Sequence, residues 1–405
     1  MIMRSPVAYI SFDVVPAPKG AAIHIMAFSE YLAAAFGEIN LVTLSPDPEL
    51  ISDLEITPRI VQTTLPNQGE NLIERVLHFR RLLHSWYQQR NFQVIHFRSI
   101  YEGLPLALNK QKICEKLVFE VNGLPSIELK YRYPKVAEDR ELLHKLTSQE
   151  QICLEAADLI VTPSQVTAEY LQNRGAIASK IKVIPNGVDL DIFKFSNPFL
   201  KTYISQDRDF QLLYFGTLSS WQGVNLAIEA LELVCRDLPA KLTIIGAAGS
   251  DRSFPRIVQL ASKLGVAERL NLIPPLPQLE LVNYIHQADA AIAPLTPNDR
   301  NLVQGCCPLK VLESMAAGTP VISSDLPVVR ELGINGKHFL LVKPGSAKSI
   351  KDAVLHLAAN PELGIDLALA SRSQIELHYT WERAGEALIG AYEELGMRRL
   401  RTASR

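Results

Sequence analysis

Short apolar runs of strand length alternate with helix-spaced amphipathic segments along the whole chain, and this alternation predicts parallel β-sheets covered by helices on both faces. In the first half the runs fall at 7–12, 39–44, 94–97, 117–120, 159–162 and 181–184. The series restarts at 211–215, 241–245, 270–273, 290–293, 321–323 and 339–342. Two doubly wound α/β domains of like architecture are therefore expected. The pattern lapses in NPFLKTYISQDRD, within 189–209, which marks the break between them. The expected division is 1–190 for the first domain, 191–375 for the second, and 376–405 for a last amphipathic helix with the basic tail MRRLRTASR. Thr380 is the expected N-cap of that helix, with Glu382 in its first turn, where the helix dipole favours negative charge. In such sheets ligands sit beyond the carboxyl ends of the strands, so the active site is expected in a central cleft that the two domains face.

Composition narrows the class. The 405 residues exceed what one core usually supports, in keeping with two domains. A hydrophobic fraction of 47%, a charged fraction of 21% and a net charge of −2 are those of a globular enzyme and give no electrostatic case for nucleic acid. Cys114, Cys153, Cys235, Cys306 and Cys307 are odd in number and scattered, which suits neither a disulfide framework nor a zinc site. The chain reaches the strand-like VAYISF without an apolar signal region and has no run of about 18 apolar residues. A cytoplasmic protein is expected.

The most informative segment is QGCCPLKVLESMAAGTPVISSD, 304–325. Cys306, Cys307 and Pro308 form a small-residue turn, with Pro308 suited to the first helical position. Leu309 to Ala317 has helical apolar spacing, Gly318 is the expected C-cap, and a strand follows Pro320. The start of such a helix offers unpaired N–H groups to a phosphate or to sugar hydroxyls, and Glu313 is placed to accept from a diol such as a ribose. An ordinary strand–helix–strand unit with a surface Glu and Lys would share this pattern. A second segment, IPNGVDLDIF at 184–193, is a turn with Val188 and Phe193 as apolar anchors for a chain leaving a domain.

Together these segments resemble the retaining glycosyltransferases of family 4, which have the GT-B fold of two Rossmann-like domains. The resemblance runs over almost the whole chain, and the PNGVD turn followed at this distance by PLKVLESMAAGTPV is its most specific part. It implies a nucleotide sugar as substrate, bound mainly by the second domain, no cofactor and no obligatory metal. The acceptor, a sugar, a lipid or a lipid-linked or polysaccharide precursor, would then meet the first domain.

On this resemblance LLYFGTLSSWQGVNLAIEA, 212–230, is the diphosphate loop, with Gly216 and Gly223 at its glycine positions. Relatives carry an Arg after the first glycine and a Lys before the second; here these are Thr217 and Gln222. A departing diphosphate gains negative charge and needs a cation. Lys310 and then Arg300 are the candidates to supply it, unless both are solvated surface charges. The family's Glu-x7-Glu pattern places its second Glu on Glu313 and its first on Gly305, so backbone N–H groups of Cys306, Cys307 and Leu309 are expected to hold the sugar instead. In the first domain PAPKGAAIH, 16–24, resembles the Gly-Gly loop, with Lys19 and Gly20 at the glycine positions and His24 on the helix that follows, all three expected as acceptor or interdomain contacts. Asn122, in FEVNGLP, stands where relatives often have a His that bonds the transferred sugar, and it is also explained by an Asn-Gly turn. Glu128 is either an acceptor contact or a helix cap.

Asp189 and Asp191 form an Asp-x-Asp sequence that in other glycosyltransferases holds a metal, but here it lies in the linker turn and no metal is expected. No side chain stands out as a nucleophile, in keeping with front-face attack assisted by the leaving phosphate. Two rival readings remain, a non-catalytic nucleotide-sugar-binding subunit and a nucleotide-sugar 2-epimerase. Residues 74–90, ERVLHFRRLLHSWYQQR, predict a helix with an apolar stripe of Val76, Phe79, Leu82, Leu83 and Trp86 and with Arg75, Arg80, Arg81 and Arg90 for charge. That combination suits either a bilayer surface, which would place the enzyme at the inner face of a membrane with a glycolipid acceptor, or a helix packed on its own sheet.

Overall fold

The computed structural model describes residues 4–47, 52–197, 208–247 and 253–400. They form two compact units, Met1–Pro185 with Ala384–Arg405, and Asn186–Arg383. The expected strands are all present. Unit 1 contains β1 (Arg4–Val14), β2 (Ile39–Leu44), β3 (Ser52–Thr57), β4 (Ile60–Leu65), β5 (Asn91–Phe97), β6 (Cys114–Glu120), β7 (Leu159–Thr162) and β8 (Ile181–Val183). Its sheet runs β3-β4-β2-β1-β5-β6-β7-β8, parallel except where β3 pairs antiparallel with β4. Unit 2 contains β9 (Phe210–Thr217), β10 (Ala240–Ala247), β11 (Leu270–Ile273), β12 (Ala290–Ala293), β13 (Val321–Ser324) and β14 (Leu340–Val342). They lie in the order β11-β10-β9-β12-β13-β14, with every pair parallel.

Both sheets reverse their winding beside their first strand, at β1/β5 and at β9/β12. Adjacent crossover connections part there, so the carboxyl ends of those strands are where each fold leaves room for a ligand. The strands themselves are apolar and buried on both faces, as Leu212 to Phe215 of β9 and Leu117 to Phe119 of β6 show.

Strands β3 and β4 have no counterpart in the apolar pattern. SDLEIT is largely exposed, and IVQTTL buries Gln62, Thr63 and Thr64, which hides the strand from a hydrophobic count. Gln62 is buried because its amide donates to the Val15 carbonyl at 2.8 Å and to Thr43 Oγ1 at 2.7 Å.

The segment expected at 74–90 is the helix Leu72–Tyr87, capped by Asn71. Its stripe faces inward: Val76, Phe79, Leu83 and Trp86 are buried, and Trp86 stacks on Phe92. Arg80 is likewise held by the protein, donating to the carbonyls of Ile100 and Tyr101 at 2.7 Å each. Of the two alternatives for this segment, the helix packed on its own sheet is the one observed, since the stripe's buried side chains face that sheet. No helix among the described residues is long and apolar enough to cross a membrane.

The last helix is Trp381–Glu394, with Thr380 Oγ1 accepting from the Arg383 N–H at 3.3 Å as its composition predicts. From Ala384 onward it belongs to unit 1, where the fully buried Tyr392 hydroxyl lies 2.8 Å from His96 Nδ1. Part of the expected tail, 401–405, and most of the patternless stretch, 198–207, lie outside the described residues.

The PNGVD turn is an anchor of unit 2. Val188 donates to the Tyr379 carbonyl at 2.8 Å, Asn186 Nδ2 donates to the Cys307 carbonyl at 2.7 Å, and Val188 and Phe193 are buried. Gly187 is required by close approach, since a Cβ there would stand 2.3 Å from the Trp381 backbone nitrogen. Gly187→Ala is therefore expected to destabilise the protein by about 1–3 kcal/mol, as other overpacked sites do. Urea denaturation checks this, and a variant as stable as wild type would show that the turn is not under that constraint.

Candidate functional site

In unit 2 the site begins where β9 ends. Gly216 has φ +117° and Gly223 has φ +72°, values that favour glycine, and between them the chain makes a tight turn through Ser220–Gln222. Gly223 starts the helix Val224–Cys235, and a Cβ there would lie 1.9 Å from the Pro294 carbonyl oxygen. The turn is fastened to the loop after β12, because the Thr296 N–H and Asn301 Nδ2 both donate to the Trp221 carbonyl, at 3.0 and 2.9 Å. Asn301 is fully buried and also bonds the Thr296 carbonyl, a role its surface-like sequence context conceals. Thr217 is exposed, while Gln222 Oε1 is buried without a hydrogen-bond partner.

The Glu-bearing helix is Leu309–Ala317, with Gly318 at its C-cap, left-handed at φ +81° as expected. Pro308 stands one place earlier than predicted, at the N-cap, after a π-helical turn Arg300–Gln304 and Gly305 at φ +84°. Cys306 and Cys307 are buried and Leu309 is half-buried. Arg300 lies 5.3 Å from the centre of the Trp221 ring and donates to Asn301 Oδ1.

Lys310 is 9% exposed and its Nζ has no hydrogen-bond partner. Its ammonium lies 4.1 Å above the Tyr214 ring, and a Cβ on Gly216 would be 3.5 Å from Nζ. Thus the helix aims a buried cation at the first glycine of the turn. Burial pushes the Lys310 ammonium down to about 7, against the opposing pull of Cys306 and Glu313. Glu313, one turn along and 6% exposed, accepts from Gln278 Nε2 at 3.0 Å. Burial pushes its carboxyl up to about 7, with Gln278 and Lys310 working the other way. An anion placed at Gly216 would meet the Lys310 ammonium, and because that group is buried the contact would be stronger than one in water.

In unit 1 the carboxyl ends of β1, β5 and β6 converge on Glu120, which is 1% exposed. Tyr9 donates to Oε2 at 2.5 Å, His96 Nε2 lies 3.0 Å from Oε2, and Arg98 donates to Oε1 at 3.0 Å. His24 Nε2 lies 2.8 Å from Oε1, and Asn122 Nδ2 also donates to Oε1. Burial alone would raise the Glu120 carboxyl, but His24 and Arg98 overcome it and hold the group well below the usual carboxylate range.

The expected first-domain residues are arranged around this hub. His24 is 3% exposed and its Nε2 is turned to Glu120, not outward to an acceptor. The Lys19 ammonium is 2.7 Å from Asp13 Oδ1, and Arg98 reaches the other oxygen of Asp13 at 3.4 Å, so the Lys19 charge is already matched. Gly20 opens the helix Gly20–Phe36. Glu128 is on the helix Pro125–Arg132, with its carboxylate 2.7 Å from where a Gly123 Cβ would be. Asp189 Oδ1 accepts from the N–H groups of Asp191 and Ile192, a local turn. Among the described residues no group of three or more metal-ligating side chains is assembled.

Two family models match the chain, "Glycosyltransferase Family 4" over 18–192 and "Glycosyl transferases group 1" over 199–374. A D-inositol 3-phosphate glycosyltransferase of Pseudarthrobacter chlorophenolicus is 23% identical, covering 92% of this chain and 90% of its own length. The sucrose-phosphate synthase of Thermosynechococcus elongatus superposes with a TM-score of 0.81 at 21% identity, over 96% of this chain and 99% of that one. Anabaena HepE in complex with UDP-glucose gives a TM-score of 0.71 at 15% identity, over 96% and 99%.

Glu120→Gln would leave Arg98 and His24 facing a neutral amide inside unit 1, and the expected loss is about 3–5 kcal/mol of stability at pH 7. Because the folded-state pKa of Glu120 is depressed, its contribution is present above the unfolded carboxyl pKa and fades as pH falls through the folded value. The gap between wild type and variant should therefore narrow in acid. A gap below about 1 kcal/mol in guanidinium titrations at pH 7 would show that Glu120 does not anchor this network.

Proposed function

Because the chain belongs to the family 4 glycosyltransferases and has their GT-B fold, we propose that it moves a hexose from a nucleotide sugar to an acceptor hydroxyl, with retention of configuration and without a metal ion. The observation that carries this reading is the partnerless, buried Lys310 Nζ aimed at Gly216, with Glu313 one turn further along the same helix. Thr217 and Gln222 bring no charge to the turn, so the cation for the diphosphate is Lys310, with Arg300 beyond it on Trp221. Glu313 accepts from the ribose diol, and the backbone at Gly216, Gly223 and Cys306 to Leu309 faces the diphosphate and sugar. HepE's complex with UDP-glucose makes a UDP-hexose the first donor to test.

In this reading the bond from the anomeric carbon to the diphosphate oxygen breaks, and the acceptor oxygen bonds to the same face of that carbon. The acceptor's proton passes to the leaving phosphate, whose new charge Lys310 stabilises. Asn122 donates its amide nitrogen to Glu120, and its Oδ1 is the atom we assign to accept from a sugar hydroxyl at unit 1. Unit 1 takes the acceptor, a sugar, lipid or polysaccharide precursor.

Lys310→Ala is expected to lower kcat/KM on the order of 100-fold, the scale of losing one preorganised charge-stabilising group. Glu313→Gln should weaken donor binding by about 1.5–3 kcal/mol through loss of a charged acceptor. Calorimetry with UDP, ADP and GDP and transfer of labelled hexose to an acceptor extract check both; a Lys310→Ala enzyme within about threefold of wild type would refute the assignment. Turnover should also survive excess chelator, and its complete loss would contradict the metal-free reading. A protein that binds nucleotide sugars yet transfers nothing to any extract would be a binding subunit.

A further inference from the structure

Lys310 and Glu313 are three residues apart on one helix, a spacing at which a lysine and a glutamate ordinarily meet. Both are buried, where an ion pair would relieve each of them. Yet no ion pair joins them: Lys310 Nζ has no partner and instead lies over the Tyr214 ring, while the Glu313 carboxyl is bonded by Gln278. Gln278 stands at the first position of the helix Gln278–Gln287, directly after Pro277 at the N-cap, so its backbone is fixed by the turn that precedes it. Its side-chain amide donates to Glu313 Oε1 at 3.0 Å.

We propose that Gln278 is a positioning residue that draws the Glu313 carboxyl away from Lys310, so that the two groups stay separately available to the ribose and the diphosphate of a bound nucleotide. The consequence for the nucleotide rests on the function proposed above; the separation of the two side chains does not. A nucleotide entering this site breaks no internal ion pair, whereas without Gln278 the carboxyl is free to rotate onto the ammonium and neutralise it. A neutral amide suits this role because it bonds the carboxylate without replacing one ion pair by another. The charged and titratable groups facing Lys310 are Glu313 and Cys306, which favour its charged form, Arg300, which opposes it, and the Tyr214 ring beneath it.

The test uses the full chain with 13C-labelled lysine, free of ligand, with the Lys310 signal assigned by its loss in Lys310→Met. In wild type the signal should titrate near 7. In Gln278→Ala, and in Gln278→Leu as a second variant of different bulk, the midpoint should rise by about one pH unit or more as Glu313 closes on Lys310. Affinity for UDP, ADP or GDP, whichever wild type binds best, should fall roughly tenfold in both variants, the counterpart of a one-unit rise in the Lys310 midpoint. An unchanged Lys310 midpoint in the folded variants overturns the proposal, whatever the nucleotide results. A raised midpoint in a protein whose wild type binds no nucleoside diphosphate supports the positioning role and refutes the donor reading instead.

Discussion

An ammonium group buried without a hydrogen-bond partner costs several kcal/mol unless it sheds its proton or finds an anion, and unit 2 is built around that cost at Lys310. The parallel sheet supplies the fixed frame. β9 brings Tyr214 beneath the ammonium and Gly216 beside it, and the helix Leu309–Ala317 lowers Lys310 onto them from the far side of the winding reversal. Glu313 and Cys306 favour the charge from a distance, but no hydrogen-bond acceptor among the described residues meets it. A ligand that brings negative charge to the turn is therefore stabilised by the same burial that penalises the empty site, which links the local energetics directly to binding.

Unit 1 treats a buried charge in the opposite way. Glu120 is surrounded by Tyr9, His24, His96, Arg98 and Asn122, and its partners are themselves tied to Asp13 and Tyr392. A network this fully bonded is rigid, and it fixes the carboxyl ends of β1, β5 and β6 as one surface. Asn122 is oriented by that network through its amide nitrogen. The two units thus share an architecture but treat buried charge differently, Glu120 being fully bonded in one and Lys310 Nζ without a hydrogen-bond partner in the other.

Much of this was legible in the sequence. The strand series, the winding, the PNGVD anchor and the Gly318 cap follow from apolar period and glycine placement, because buried parallel strands and left-handed caps leave strong local marks. β4 was not legible, since Gln62 is made tolerable in the core by Val15 and Thr43, residues far from it in the chain. The 74–90 stripe was visible, but not which way it faced; that was decided by Phe92 and by the carbonyls of Ile100 and Tyr101. In the site, Lys310 and Glu313 announced themselves through their motif. Gln278, Asn301 and Glu120 did not, because each acts through a partner brought near only by folding.

The most direct measurement is a crystal structure of the protein with a nucleoside diphosphate bound. The expected result is a phosphate oxygen within hydrogen-bonding distance of Lys310 Nζ and beside Gly216, with both ribose hydroxyls donating to the Glu313 carboxylate. A nucleotide seated elsewhere, with Lys310 still lying partnerless over Tyr214, would contradict it.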